Sequence, residues 1–591
     1  MINVTKAYRE ACENPIRKSY IVVKYGLYDK SAKSKISRTE KNAKIFSQIS
    51  QTYDEIKQHS INYITCEPNR VKLDGTFAFL VNKSLPNKNE TIGYWSEEMS
   101  NSNGLFDNNP SITYIFNDYI NFTDLTLYFQ ELVDSINIKY YLDNNLIYNN
   151  SIINNKFLNI ETKSNGSQTA NYFNKLTIEF VKTGFPNRYV KFNEIDFGIY
   201  EIFDKNEIKE IDIIEELSID SSELSANSLN LTIKDDKGEY DILNPYNKLS
   251  KLQEKQELTC YHYLKVGNNF KEVPLGTFLL KNIKNGKQEI MLECYDDTYF
   301  MNKIYYGSKF YINEEVENVL KDLFTYFNYT KYVIDDELKG TKISGYIPEV
   351  QMREALRLIA EASKSVISKT REGITYIYKT NDPKIKLFKT YEYENPQPQK
   401  NLYNNVIDVN VYNYETQSDD VILYSANMNI GEYIISFKNY PLVYDLYKNN
   451  FNLLKNNNNN YDIIELGATS CKIKVSSNNE LVELKGKYYI ESKKVERIKK
   501  DNTISVDEYA IAKINNNLIT DNNYKEIANW KLNRKDVKHN FECMATPYIE
   551  VGDTCSYQLK YNNLQGEKIK RDFVVTYINF TNSLKQTIEG E

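Results

Sequence analysis

Cysteine, histidine and tryptophan are all scarce in this chain of 591 residues, with 7, 3 and 2 copies. The cysteines, Cys12, Cys66, Cys260, Cys294, Cys471, Cys543 and Cys555, are odd in number and scattered, and no two form a Cys-x-x-Cys pair. His59, His262 and His539 are equally dispersed. Zinc and iron–sulfur sites need ligands clustered at short spacings, so neither is expected. A scattered odd set of thiols also suits synthesis in a reducing cytoplasm. Glycine (21) and proline (13) are too few for a collagen-like or linker-dominated chain. No apolar run approaches the roughly 20 residues of a membrane-spanning helix. The opening MINVTKAYREACENP is polar and amphipathic, without the apolar core or cleavage site of a secretory signal. Excess positive charge is missing too. Lys and Arg number 74 against 80 Asp and Glu, a net charge of -6, the reverse of a nucleic-acid-binding footprint. The short basic clusters Lys493-Lys494, Lys499-Lys500 and Lys568 to Arg571 have acids close by and read as solvated faces.

What is present is aromatic: 50 Tyr and 26 Phe, with hydrophobic residues at 41%. Such density excludes wholesale disorder. At roughly 150 residues per domain the length suggests about four domains. Codon bias of an AT-rich genome accounts for most of the Tyr, Asn, Lys and Ile excess. Tyr also suits assembly interfaces, where one side of the ring is dry and the other wet.

Periodicity predicts strands over 19–27, 226–234 and 276–294, where apolar and polar residues alternate beside turn signals such as Asn285-Gly286 and Asp236-Lys237-Gly238. Three segments read as helices: 313–328, 349–365 and 522–535. In the second, Met352, Leu356, Ile359 and Ala360 form one apolar stripe, read as core. Residues 451–460 (FNLLKNNNNN) read as a low-complexity loop, and 381–400 as a boundary.

The search for chemistry finds little. No Gly-x-Ser-x-Gly elbow, phosphate-binding glycine loop or EF-hand spacing occurs. Cys260 and His262 would share one strand face by alternation alone, without a metal. Acidic pairs such as Glu97-Glu98, Asp235-Asp236, Asp296-Asp297, Asp335-Asp336 and Asp419-Asp420 are expected among so many acids. No catalytic, cofactor-binding or metal-ligating residue is therefore assigned, and the chain is expected not to be an enzyme.

Three segments nevertheless carry a resemblance. Residues 66–80 (CEPNRVKLDGTFAFL), 93–106 (GYWSEEMSNSNGLF) and 176–198 (LTIEFVKTGFPNRYVKFNEIDFG) bracket what looks like a galactose-binding-like jelly roll. Residues 272–303 (EVPLGTFLLKNIKNGKQEIMLECYDDTYFMNK) and 344–379 (SGYIPEVQMREALRLIAEASKSVISKTREGITYIYK) resemble a hub phrase in which Cys294-Tyr295-Asp296 stands for Ala-Tyr-Asp. Ser363-Lys364 stands where a glycine is usual. Residues 523–591 resemble the closing region, with a Gly552-Asp553 turn. Together these resemble the central hub proteins of phage tails and tail-like particles of Gram-positive, clostridial-type hosts, whether baseplate hubs or tail-associated proteins.

The resemblance implies an α+β, mainly β fold with two tube-like β-barrels, small α/β domains and an inserted β-sandwich. Its boundaries are 1–87 and 206–300 for barrel 1, 88–205 for the sandwich, 301–383 for an α/β domain, 384–520 for barrel 2 and 521–591 for a completing helix and strands. It implies a homotrimer whose six barrels form a ring, adapting a sixfold tail tube to a threefold spike or fibre. The implied partners are the tail tube or distal tail protein, the tape measure protein, and the spike or other baseplate proteins. DNA is only passing cargo, which the acidic balance would not retain. The location is the virion tail or baseplate, reached by lysis after cytoplasmic synthesis. Two alternatives stand: a tail-tip adhesin whose sandwich binds host wall carbohydrate, and a tail-associated lysin.

Overall fold

The computed structural model describes residues 2, 4–14, 16–28, 30–54, 62–71, 77–78, 91–120, 125–162, 173–238, 240–241, 243, 255–379, 384–389, 392–394, 396–400, 405–445, 450–455, 460–500, 511–533, 537–582 and 585–591. The fold is mainly β with a few helices, an α+β architecture. The chain forms two compact units: one of residues 1–23, 203–234 and 257–591, the other of 24–202 and 235–256. Parts of the LDG turn at 73–75, of the Asn-rich run at 456–459 and of the boundary at 381–383 lie outside the described residues.

The first unit is framed by an open sheet. Its strands run in the spatial order Glu257–Val266, Asn269–Asn285, Glu289–Tyr295, Ser228–Lys234, Ile208–Glu216, Lys568–Thr581, Lys585–Gly590 and Val537–Met544. The expected hairpin is there. Gly286 N–H donates to the Glu289 carbonyl at 2.8 Å to close it, and Gln288 takes a left-handed φ of 59°. Alternation buries Leu229, Leu231 and Ile233 with Ile290, Leu292 and Cys294. Ile208–Glu216 then pairs with Lys568–Thr581, over 350 residues on, so the C-terminal strands continue the same sheet.

Against this sheet sits an α/β piece. Helices Val316–Tyr326 and Met352–Ser363 share one apolar core, to which Met352, Leu356, Ile359 and Ala360 contribute as expected. The first helix starts later than the sequence suggests. Phe310–Glu315 is a strand paired with Lys342–Tyr346, and Asn313 takes a φ of 51°. The pairing overrides helix propensity there. Strands Tyr332–Ile334, Thr375–Tyr378 and Val366–Lys369 complete the piece.

Among the described residues no sheet closes into a barrel. Lys384–Phe388 pairs parallel with Thr554–Asn562, and Tyr393–Glu394 and Gln399–Lys400 pair with Val537–Met544, so all three join the C-terminal strands. The described residues within 405–520 form three separate three-stranded sheets and a two-stranded pair. Two of them cover a core that includes Leu423, Ile435, Ile473 and Val482. The third carries helix Tyr524–Leu532, whose Ile527 shares a core with Val409 and Val411.

The second unit is a sandwich of a four- and a five-stranded sheet over a single core rich in Phe and Tyr. Ile36–Lys41 forms an edge of its five-stranded sheet, well before the boundary at residue 88 drawn from the sequence. Ile36 packs on that core and adds to the burial that holds the strand there.

Candidate functional site

In the first unit the polar chemistry converges on Arg371. Strands Val366–Lys369 and Thr375–Tyr378 turn over Thr370 to Ile374, where Gly373 supplies the φ of 81° that the tight turn requires. The turn presents Arg371 to the main sheet, where its side chain is buried. Nε donates to Glu215 Oε1 at 2.5 Å, Nη2 to the Ile549 carbonyl at 2.7 Å, and Nη1 to the Pro274 carbonyl at 3.3 Å and the Pro547 carbonyl. One guanidinium thus ties the α/β turn to three distant segments, and its planar fork suits several acceptors at once. Burial pushes the Glu215 carboxyl up to about 7 even beside this cation. Arg371 pays the same desolvation, but Glu215, Glu550 and Asp553 outweigh it and hold the guanidinium charged.

Asp296, the acid of the Cys-Tyr-Asp phrase, locks strand ends. Its carboxylate accepts from Asn227 N–H at 2.8 Å and Thr298 N–H at 2.9 Å, and burial pushes it up to about 6. Asn227 Oδ1 in turn accepts from Glu216 N–H at 3.1 Å. Its neighbour Asp297 pairs with buried Lys369, which also donates to Tyr329 Oη at 2.6 Å and Thr375 Oγ1 at 2.7 Å. The Asp-Asp pair read from the sequence as chance is therefore two structural anchors.

Beside Arg371 lies a polar cleft of about 240 Å³, lined by residues including Asp335, Lys369, Tyr376, Tyr378, Glu550 and Asp553. The Tyr376 and Tyr378 rings stack 4.8 Å apart, and Tyr376 Oη donates to Asp335 at 2.5 Å. Asp553 accepts from Glu550 N–H at 2.9 Å and is raised by burial. Gly552 has a φ of 90°, and a Cβ there would lie 2.2 Å from the Tyr378 hydroxyl, which explains the glycine of the Gly-Asp turn. Among the described residues no group of three or more His, Cys, Asp or Glu could hold a metal ion. His262 Nδ1 meets Tyr8 Oη at 3.1 Å, and burial drives its pKa down to about 3. His539 Nδ1 meets Tyr557 Oη, also at 3.1 Å. Cys260 and His262 share a buried strand face, as alternation predicts.

The second unit has its own buried charge network, built from the phrases quoted above. Lys191 Nζ donates to Glu67 Oε2 at 2.8 Å and to Glu131, with the Trp95 ring 4.5 Å away. Glu67 also accepts from Tyr189 N–H at 3.1 Å, and Arg70 reaches Glu131 at 2.9 Å. Lys33 pairs with Glu194 and, at 2.7 Å, with Asp196. Burial opposes that lysine's charge, yet the two carboxylates outweigh it and raise its pKa. The Glu-Pro-Asn-Arg and Arg-Tyr-Val-Lys phrases thus meet in space.

Sequence reading missed Arg371, Glu215 and Lys191 as partners. The one available signal was an arginine inside the tight TREGI turn between two apolar strands.

No family model matches the chain, and no curated protein matches it. Solved structures do. A 43 kDa tail protein of prophage MuSo2 from Shewanella oneidensis is 10% identical, with 66% of this chain and 95% of that chain covered, at a TM-score of 0.36. A tail protein from Neisseria meningitidis MC58 is 10% identical over 66% and 93%, at 0.37. Prophage tail protein gp18 from Listeria monocytogenes EGD-e is 8% identical over 66% and 90%, at 0.33. Scores of this size leave the fold assignment to the chain's own geometry.

Proposed function

We propose that this chain is a structural hub of a phage tail or tail-like particle, a trimeric ring that adapts a sixfold tube to a threefold spike or fibre. What supports the reading is the convergence at Arg371. Its acceptors Pro274, Pro547 and Ile549 belong to the first and last hub-like phrases of the first unit, and Arg371 itself to the middle one. Residues scattered through the sequence resemblance therefore form one rigid joint. The polar groups described above are spent on holding strands together, which is the chemistry of a scaffold. In this role the sheets would meet those of neighbouring copies, and the tail tube, tape measure and spike proteins would be the partners. Sedimentation velocity of the purified chain tests the ring: a trimer of the 69.3 kDa protomer, or two such trimers joined, is expected, and a strictly monomeric species at assembly concentrations refutes it.

A second reading, host-wall carbohydrate binding by the sandwich, is favoured by two exposed rings. Phe157 and Phe185 sit on loops that are both anchored to Leu132–Asp134, through Asn155 N–H to the Asp134 carbonyl at 2.9 Å and Gly184 N–H to the Leu132 carbonyl at 2.8 Å. Wall polysaccharide should then retain the full chain and release the Phe157→Ala/Phe185→Ala variant; equal retention refutes it.

A further inference from the structure

The two edges of the sandwich's five-stranded sheet are built differently. One, Ile36–Lys41, carries Arg38, Glu40 and Lys41. Charges of this kind are how sheet edges avoid pairing with other chains. The other, Asn145–Ile152, continues into Ile153 and Asn154 with no charge, proline or glycine from 145 to 155. Among the described residues it pairs only with Val133–Leu142, and none of them forms a strand along its outer edge. Its large apolar side chains face solvent: Leu146 is 55% exposed, Ile147 40% and Ile153 69%. Charged residues also stud the long outer strand Tyr489–Lys499 of the first unit, with Lys493, Lys494, Glu496 and Arg497. The bare edge differs from both of these.

We propose that Asn145–Ile152 is a pairing edge whose partner is the same strand of a second copy, run antiparallel about a twofold axis through Asn150. The sequence is self-complementary in that register. Two copies related by such an axis place residues whose numbers sum to 300 opposite each other, on the same face of the joint sheet. Tyr148 then meets Ile152, and both already pack against the sandwich core, so the core would continue across the junction. Asn149 meets Ser151, and Ile147, the bulged residue between Leu146 and Tyr148, meets Ile153. Asn150 meets its own copy. No like charges oppose one another, apolar meets apolar, and the open backbone groups of both edges become paired. A differently charged partner strand would find no complementary charge here.

The test needs only the full chain. Ser151→Lys with Ile153→Lys blunts the edge at two exposed positions. Sedimentation velocity should show the wild type at no less than twice the mass of this variant. The ratio is two where all edges of one ring pair with those of a single second ring, and larger where they link several; the variant's own mass reports the ring, so failure of the hub reading and failure of this pairing are separately visible. Asn150→Cys supplies a second readout, independent of how the lysine variant folds. Mild oxidation should link it to its own copy on a non-reducing gel. Asn145→Cys, displaced along the strand from its mate, and the parent chain with exposed Cys66 should stay unlinked. Equal masses for wild type and variant, leaving the edge to a different protein, would overturn the proposal, as would linking no better at 150 than at 145.

Discussion

Replacing Arg371 by methionine keeps much of the side-chain volume and removes the cation. Glu215 is then left buried without its partner, and the Pro274, Pro547 and Ile549 carbonyls lose a donor. Breaking a buried ion pair from one side costs about 3–5 kcal/mol, and a buried acceptor left unmatched adds about 1 kcal/mol or more. A loss of about 4 kcal/mol in the first unit is therefore expected at pH 8. Because the chain has two units, a single unfolding free energy is ill defined. Native-state hydrogen exchange of amides along 208–216 and at Gly552, which donates to the Val575 carbonyl, gives the local value. The loss should also depend on pH. The folded Glu215 carboxyl titrates at about 7 instead of 4.5, so the folded chain holds a proton that the unfolded chain releases. That contribution is full below about pH 4.5 and is lost as pH rises through about 7. Removing Arg371 pushes the carboxyl higher still. Parent and variant then differ in bound protons only between about pH 7 and 8, so the variant's penalty should shrink by about 1 kcal/mol, and at most about 1.4 kcal/mol, when pH falls from 8 to 5. Adding Glu215→Leu to Arg371→Met should recover at least about 2 kcal/mol of the summed losses, since the stranded acid is gone. A penalty under about 1 kcal/mol at pH 8, or one that does not move with pH, would refute the joint as described.

Two further substitutions probe other parts of the frame. Lys191→Met strands Glu67 inside the sandwich and leaves Glu131 to Arg70, and a loss of about 3–5 kcal/mol is expected; fluorescence of Trp95 in a Trp530→Phe background follows it, and an unchanged midpoint counts against the network. Lys364 ends the helix Met352–Ser363 with a φ of 54°, where the resemblance expects glycine. Lys364→Gly should stabilise by up to about 1 kcal/mol, the strain a side chain brings there, less the small part of its exposed pair with Glu526; thermal unfolding that shows a loss would contradict the strain argument.

Features set by neighbours in sequence were legible and features set by distant neighbours were not. The hairpin over 276–294 follows from alternation and Asn285-Gly286, and the helix over 349–365 from a stripe four residues apart. The start of the helix at 313–328 was misjudged because Glu314 and Glu315 pair with Ile343 and Lys342, beyond any local window. Closed barrels were expected from the resemblance alone, since alternation shows which face of a strand is buried but not which strands lie beside it. The strand Ile208–Glu216 lies between Ser228–Lys234 and Lys568–Thr581, and the second partner has no local signature. Arg371 was invisible for the same reason. Its acceptors lie 97 to 178 residues away, and three of them are carbonyls that any residue could offer.

The buried cations also bear on how such long-range pairings stay in register. A strand slipped by one residue turns every side chain to the opposite face. For Ile208–Glu216 that slip would carry Glu215 away from Arg371, leaving a buried guanidinium with three carbonyls and no carboxylate. In the sandwich, a slip of Lys191–Asp196 against Leu125–Phe129 would move Lys191 off Glu67 and Glu131 and point it away from Trp95. Each error leaves an unpaired charge in a dry interior, which costs more than the apolar contacts a slipped sheet could regain. The cations thus penalise wrong registers more than they stabilise the right one. In a chain whose cysteines are all free, the described pairings between remote segments depend on this kind of contact and not on a covalent link.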